Sequence, residues 1–66
     1  MEFTILININ GNIGYELTHI DKKFFGSCRT KDEERAIARS LYQKDHPNAH
    51  ILAVISGNAV DKILNK

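Results

Sequence analysis

The sequence predicts an α+β fold, a small antiparallel sheet with one main helix packed on one face, in the order β-β-(β)-α-β-α. Three observations carry this expectation. Apolar residues alternate with polar ones from Phe3 to Ile20, Thr30-Lys31-Asp32-Glu33 has the signature of a helix start, and a nearly continuous apolar run fills Ile51 to Ile55. Alternation over several residues marks a strand with one buried face, and a segregated order of strands, helix and strand points to an α+β sandwich.

Phe3, Ile5, Ile7 and Ile9 form the inward set of a first strand, and Ile13, Tyr15, Leu17 and His19 repeat the pattern in a second. Asn10-Gly11-Asn12 between them is a turn signal. A two-residue turn at Asn10-Gly11 pairs Ile9 with Asn12, Ile7 with Gly14 and Ile5 with Glu16, which sends the two apolar sets to opposite faces. A three-residue loop pairs Ile9 with Ile13, Ile7 with Tyr15, Ile5 with Leu17 and Phe3 with His19, which collects them on one face. The second register is the expected one, with Gly11 or Asn12 at positive φ.

Asp21-Lys22-Lys23 is turn-like, and Phe24 to Cys28 is read as a short third strand or an extended connector that buries at least one phenylalanine. Thr30 then caps a helix. Its hydroxyl accepts from the Glu33 amide, the Glu33 carboxylate reaches back, and Asp32, Glu33 and Glu34 complement the positive helix end. Ile37 and Leu41, with Ala38 and the stem of Lys44 beside them, form the stripe expected to lie on the sheet, while Arg35 and Arg39, flanked by Lys31 and Tyr42, occupy the opposite face. Pro47 ends the helix at or just before His46. His50 to Ser56 is expected as a strand buried on both sides or central in a sheet; if it lies beside the first strand the order is 2-1-3, and Asn58 with Asp61 opens a short C-terminal helix carrying Val60, Ile63 and Leu64.

At 66 residues the chain is expected to form a single domain, residues 1–66. Below roughly 70–80 residues one core supplies little net stability, so association with a partner or a second copy through an exposed sheet edge is expected. Lys and Arg number 9 against 8 for Asp and Glu, so the chain is neither a polyanion mimic nor a strongly basic nucleic-acid coat. One cysteine excludes an internal disulfide framework and fits a reducing compartment. No basic leader and no apolar run long enough to span a bilayer is visible, so a cytoplasmic location away from membranes is expected. The abundance of Ile, Lys and Asn suits an AT-rich genome such as those of many bacteria and phages.

No catalytic or ligand-binding motif stands above background. His46 and His50 have the spacing of half a zinc site, with Cys28 or His19 as a third ligand, but a structural site takes four and the thiol pair is missing. No cofactor or metal is expected. Cys28 near a helix N-terminus could be a thiolate nucleophile, yet no oxyanion element accompanies it, and a small residue leading into the helix explains it equally. The acidic trio Asp32, Glu33 and Glu34 is explained by the helix dipole. The binding candidates are Lys31, Arg35, Arg39 and Tyr42, extended by Lys22, Lys23 and Arg29, a stripe that could meet phosphates or be a solvated helix face.

The expected function is therefore that of a small non-enzymatic protein engaged in protein-protein interaction, an inhibitor or adaptor of another protein or complex, in a phage setting one serving host-defence evasion. The alternative is a nucleic-acid-binding regulator using the basic helix face.

Overall fold

The computed structural model describes residues 1–64, with side chains through Lys62. The order of elements is β1 (Glu2–Ile9), β2 (Asn12–His19), a 3-10 turn (Lys22–Phe25), α1 (Lys31–Asp45), β3 (His50–Ser56) and α2 (Val60–Leu64). The sheet has three antiparallel-paired strands in the order β2-β1-β3, so the α+β class and the 2-1-3 order both hold. β2 and β3 run in the same direction on either side of β1, which makes α1 the crossover between them.

The hairpin register differs from the expected one. Ile9 pairs with Asn12, Ile7 with Gly14, Ile5 with Glu16 and Phe3 with Thr18. A two-residue turn produces this, with Asn10 at φ 52° and Gly11 at φ 87°, both in the left-handed region that matches the twist of a hairpin. Gly11 thus has the expected positive φ, and Asn10 has it in place of Asn12. Asn8 Oδ1 accepts from the Gly11 amide at 2.8 Å and fixes the turn from the strand side. Residues opposite one another on an antiparallel pair share a face, so the apolar sets separate. Phe3, Ile5 and Ile7 face α1, whereas Ile13, Tyr15 and Leu17 face away from it.

The packing of α1 explains why this register is stable. The helix lies over β3, β1 and the 3-10 turn, not over β2. The helix-side positions of β2 therefore need no apolar residue, and they are Asn12, Gly14, Glu16 and Thr18. A Cβ at Gly14 would meet Ile9 Cδ1 at 3.6 Å, an ordinary contact, so crowding does not demand glycine there.

Thr30 caps α1 as expected, with its Oγ1 accepting from the Glu33 amide at 3.1 Å. The Glu33 carboxylate returns to the Thr30 hydroxyl at 3.4 Å instead of the Thr30 amide. The helix ends at Asp45, with His46 as its cap. Its buried face is turned from the expected one. Ala38 is fully buried, Ile37 and Leu41 are half-buried, and Tyr42, expected on the outer face, is 4% exposed. A ring at i+4 from Ala38 lies on the same side of a helix, and Ala38 is small enough for β1 to approach closely there.

Two clusters make the core. Phe3, Ile20, Phe25 and Ala38 form one, with the Phe3 and Phe25 rings 5.5 Å apart, and Ile5, Ile7, Tyr42 and Ile51 form the other. Phe25 is the phenylalanine that is buried, and it is delivered by a 3-10 turn where a strand or extended connector was expected. Asp21 starts that turn by accepting from the Lys23 amide at 3.0 Å.

β3 is an edge strand, not a central one. Its unbroken apolar run has another cause. The pairing with β1 shifts between Leu6 and Ile7, so that Ile51 opposes Ile7 while Val54 opposes Ile5. This bulge lets residues three apart both point to α1, and the two-residue period of the strand is lost from the sequence. After Ser56 the chain turns at Gly57, φ 82°, and Thr4 secures it: the Thr4 hydroxyl donates to the Gly57 carbonyl at 2.8 Å and accepts from the Ala59 amide at 2.9 Å. Asn58 Oδ1 accepts from the Val60 amide at 3.0 Å, in keeping with the helix start read from the sequence. The side chains of Ile63 and Leu64, expected to share the apolar stripe of α2, lie outside the described residues.

Candidate functional site

The basic stripe read from the sequence is divided by the fold. Arg35 donates to Ser56 Oγ at 3.4 Å and pairs with Asp32, and Arg39 donates to the Ile51 carbonyl at 3.2 Å. Both guanidinium groups thus bind β3 from the helix, and the exposed Lys31 lies 4.0 Å from the half-buried Glu34 in an i,i+3 pair. Tyr42 is close to Arg35 and Arg39 in angle around α1, but its ring turns inward and is buried against Ile5, Ile7 and Ile51. The structure brings Lys31, Arg35 and Arg39 onto one face and does not bring Tyr42 to them.

Tyr42 instead belongs to a groove between α1 and the helix side of β2. Its phenol donates to Glu16 Oε1 at 2.7 Å, and its ring stacks on His46 with centroids 4.2 Å apart and planes 18° from parallel. Burial comes first, and the Glu16 carboxylate second, in pushing the phenol pKa up from 10.0 to about 12. On one side of this bridge is a cavity of about 550 Å³ bordered by Thr18, Asp21, Phe24 and Asp45, and on the other a cavity of about 490 Å³ bordered by Ile9, Asn10 and Pro47. Sequence reasoning missed this groove. Its one local signal was Asn10-Gly11, whose preference for a two-residue turn fixes Glu16 on the helix side.

Cys28 is half-buried, and its thiol pKa is raised, by desolvation first and then by the Glu33 and Glu34 carboxylates. Desolvation and the acidic residues of the first turn of α1 both favour the neutral thiol over the thiolate. Among the described residues no three His, Cys, Asp or Glu side chains converge on a common point, so His46, His50, Cys28 and His19 are not assembled. No helix among those residues is long and apolar enough to cross a membrane.

The remaining surface is the sheet face turned away from α1. Ile13 is 73% exposed there, and Tyr15 and Leu17 are each 42% exposed. Leu6, Ala53 and Ile55 continue this face on β1 and β3 and are half-buried. No charged side chain interrupts the stripe between Ile13 and Leu17, because the intervening Gly14 and Glu16 point to the helix side. Three apolar side chains at this exposure adjoin one another here, where single exposed apolar residues are ordinary.

Comparison with known proteins finds no matching family model, no similar curated protein and no similar solved structure.

Proposed function

We propose that this chain is a small non-enzymatic binding protein, an inhibitor or adaptor, that docks another protein on the sheet face opposite α1. The observation that supports this reading is the outward stripe of Ile13, Tyr15 and Leu17. An uncharged apolar strip selects an apolar protein surface and not a phosphate backbone, which needs cations. The raised thiol pKa of Cys28 speaks against a nucleophilic role, because the thiolate is the attacking form. A cytoplasmic setting, in a phage or mobile element acting against a host system, is the biological context we attach to it.

Capture of a tagged protein from host lysate, with nuclease and at high salt, tests the reading. The expected result is a stoichiometric protein held by the unsubstituted chain and by Lys31→Ala, and lost with Ile13→Ser. The nucleic-acid alternative rests on Lys31 with Arg35 and Arg39, whose guanidinium groups are already engaged with β3. Recovery that depends on nucleic acid and falls with Lys31→Ala would put that reading in first place.

A further inference from the structure

We propose that the outer edge of β2 pairs with the same edge of a second copy, antiparallel about a two-fold axis through Tyr15, to give a continuous six-stranded sheet. The proposal goes beyond the docking reading and stands independently of it. β2 is an edge, and among the described residues no strand pairs with its outer side. Its eight residues, Asn12–His19, contain no proline and no lysine, and its pairing with β1 runs without a bulge. Those are the usual devices that keep an edge from recruiting another strand.

Which backbone groups are free follows from the hairpin. The Ile20 amide donates to the Met1 carbonyl and the Met1 terminal ammonium to the Ile20 carbonyl, each at 2.7 Å, so that pair is mutually hydrogen-bonded. Bonded pairs alternate along an antiparallel ladder, so Thr18, Glu16, Gly14 and Asn12 also bond inward to β1. The N–H and C=O groups of Ile13, Tyr15, Leu17 and His19 point outward from the sheet. A second strand must place its own outward residues opposite these, which restricts the pairing to odd positions against odd.

Charge then excludes one symmetric register, and the overlap of the two eight-residue strands, greatest when Tyr15 faces Tyr15 among those left, selects from the rest. Pairing Tyr15 with Leu17 of the second copy would set Glu16 opposite Glu16, a like-charge contact that destabilises a strand pair. Pairing Tyr15 with Tyr15 sets Glu16 opposite Gly14, Ile13 opposite Leu17, and leaves no like charges facing. This register also lays the two apolar stripes side by side. A strip one strand wide in the monomer becomes two strands wide in the dimer, on the face that the docking reading uses.

Sedimentation equilibrium without any partner, on the full chain, reads the association directly. The unsubstituted protein should be a dimer at about 0.1 mM, corresponding to a Kd in the micromolar range. Tyr15→Pro removes an outward N–H that makes no bond to β1, so the variant should stay folded by circular dichroism and dissociate at least tenfold more readily. Cross-linking reads the register even if that variant fails to fold. With Cys28→Ser in both chains, Tyr15→Cys should oxidise to a disulfide dimer, because residues opposite in a bonded pair have Cα atoms about 5.5 Å apart. Asn12→Cys should not, because this register sets it about 20 Å from its own copy. A monomer at that concentration, a folded Tyr15→Pro variant that still dimerises equally, or cross-linking of Asn12→Cys in preference to Tyr15→Cys would overturn the proposal. A dimer that captures no partner would leave this proposal standing and remove the docking reading.

Discussion

The Tyr42 phenol and the Glu16 carboxylate meet at 2.7 Å and tie the C-terminal half of α1 to β2, the strand that the helix does not cover. This contact requires Glu16 on the helix side of the sheet, which is the register that separates the two apolar sets. One hydrogen bond and one turn therefore act together to expose Ile13, Tyr15 and Leu17.

Tyr42→Phe keeps the ring in its core cluster and removes the bond. A hydrogen bond to a charged group contributes about 1.5–3 kcal/mol, and in a domain of this size each kcal/mol moves Tm by roughly 4–8 °C. Thermal unfolding should show a loss within that range. The pH dependence gives a second test. Tyr42 holds its proton to about pH 12 in the folded chain, against 10.0 ordinarily, so the unfolded chain deprotonates first. The stabilisation is complete below pH 10 and declines as pH rises through that window. Denaturant midpoints should fall over that interval for the unsubstituted protein and much less for Tyr42→Phe. Equal slopes for the two would show that the phenol is not held.

Thr4 is fully buried, and its hydroxyl serves both the Gly57 carbonyl and the Ala59 amide. Thr4→Val is nearly isosteric but leaves both backbone groups without that partner. The expected cost is about 1–3 kcal/mol, the penalty for burying polar groups unsatisfied, whereas Thr4→Ser should retain much of the stability. Hydrogen exchange at the Ala59 amide is the specific readout: it should accelerate with valine and not with serine.

The turn that sets the register is equally open to test. Gly11 at φ 87° and Asn10 at φ 52° both adopt a conformation that costs an ordinary side chain about 1–2 kcal/mol. Gly11→Ala should destabilise by about that amount even though a Cβ there meets nothing within 4 Å, because the strain is in the backbone. Replacing Asn10-Gly11 by the reverse order should cost less than Gly11→Ala, since asparagine and glycine both tolerate the left-handed region. Chemical denaturation of the three proteins would order them.

Local signals in the sequence were sufficient where local chemistry decides the outcome. Thr30 with Glu33 places the helix start, Pro47 its end, and Asn58 the start of α2, because each acts within a few residues of itself. The register was misread for a tertiary reason. Counting apolar residues on one face assumes that the helix covers the whole sheet, and α1 lies mainly over β3 and β1, meeting β2 through the Tyr42–Glu16 hydrogen bond. Tyr42 was misplaced for a related one. Helical spacing groups it with Arg35 and Arg39, but its hydroxyl finds Glu16 while the ring packs on Ile5, Ile7 and Ile51. The β3 bulge hid the strand period in the same way, by a shift that depends on β1 and cannot be seen in β3 alone.

The arginines of α1 carry the last prediction. Arg39 spans from the helix to the Ile51 carbonyl at the bulge, so Arg39→Ala should cost about 0.5–1.5 kcal/mol and raise exchange along β3. Lys31 is itself exposed but lies 4.0 Å from a Glu34 carboxylate oxygen that is buried without a hydrogen-bond partner, and Lys31→Ala should change stability by no more than about 1 kcal/mol. A loss of binding on Arg39→Ala would therefore mix altered β3 packing with any lost phosphate contact. Lys31→Ala separates the two, because it removes charge from the same face without touching the sheet. On the protein-docking reading its affinity for the captured protein is unchanged, and a salt-dependent fall in nucleic-acid affinity on this substitution is the result that would assign the helix face a binding role.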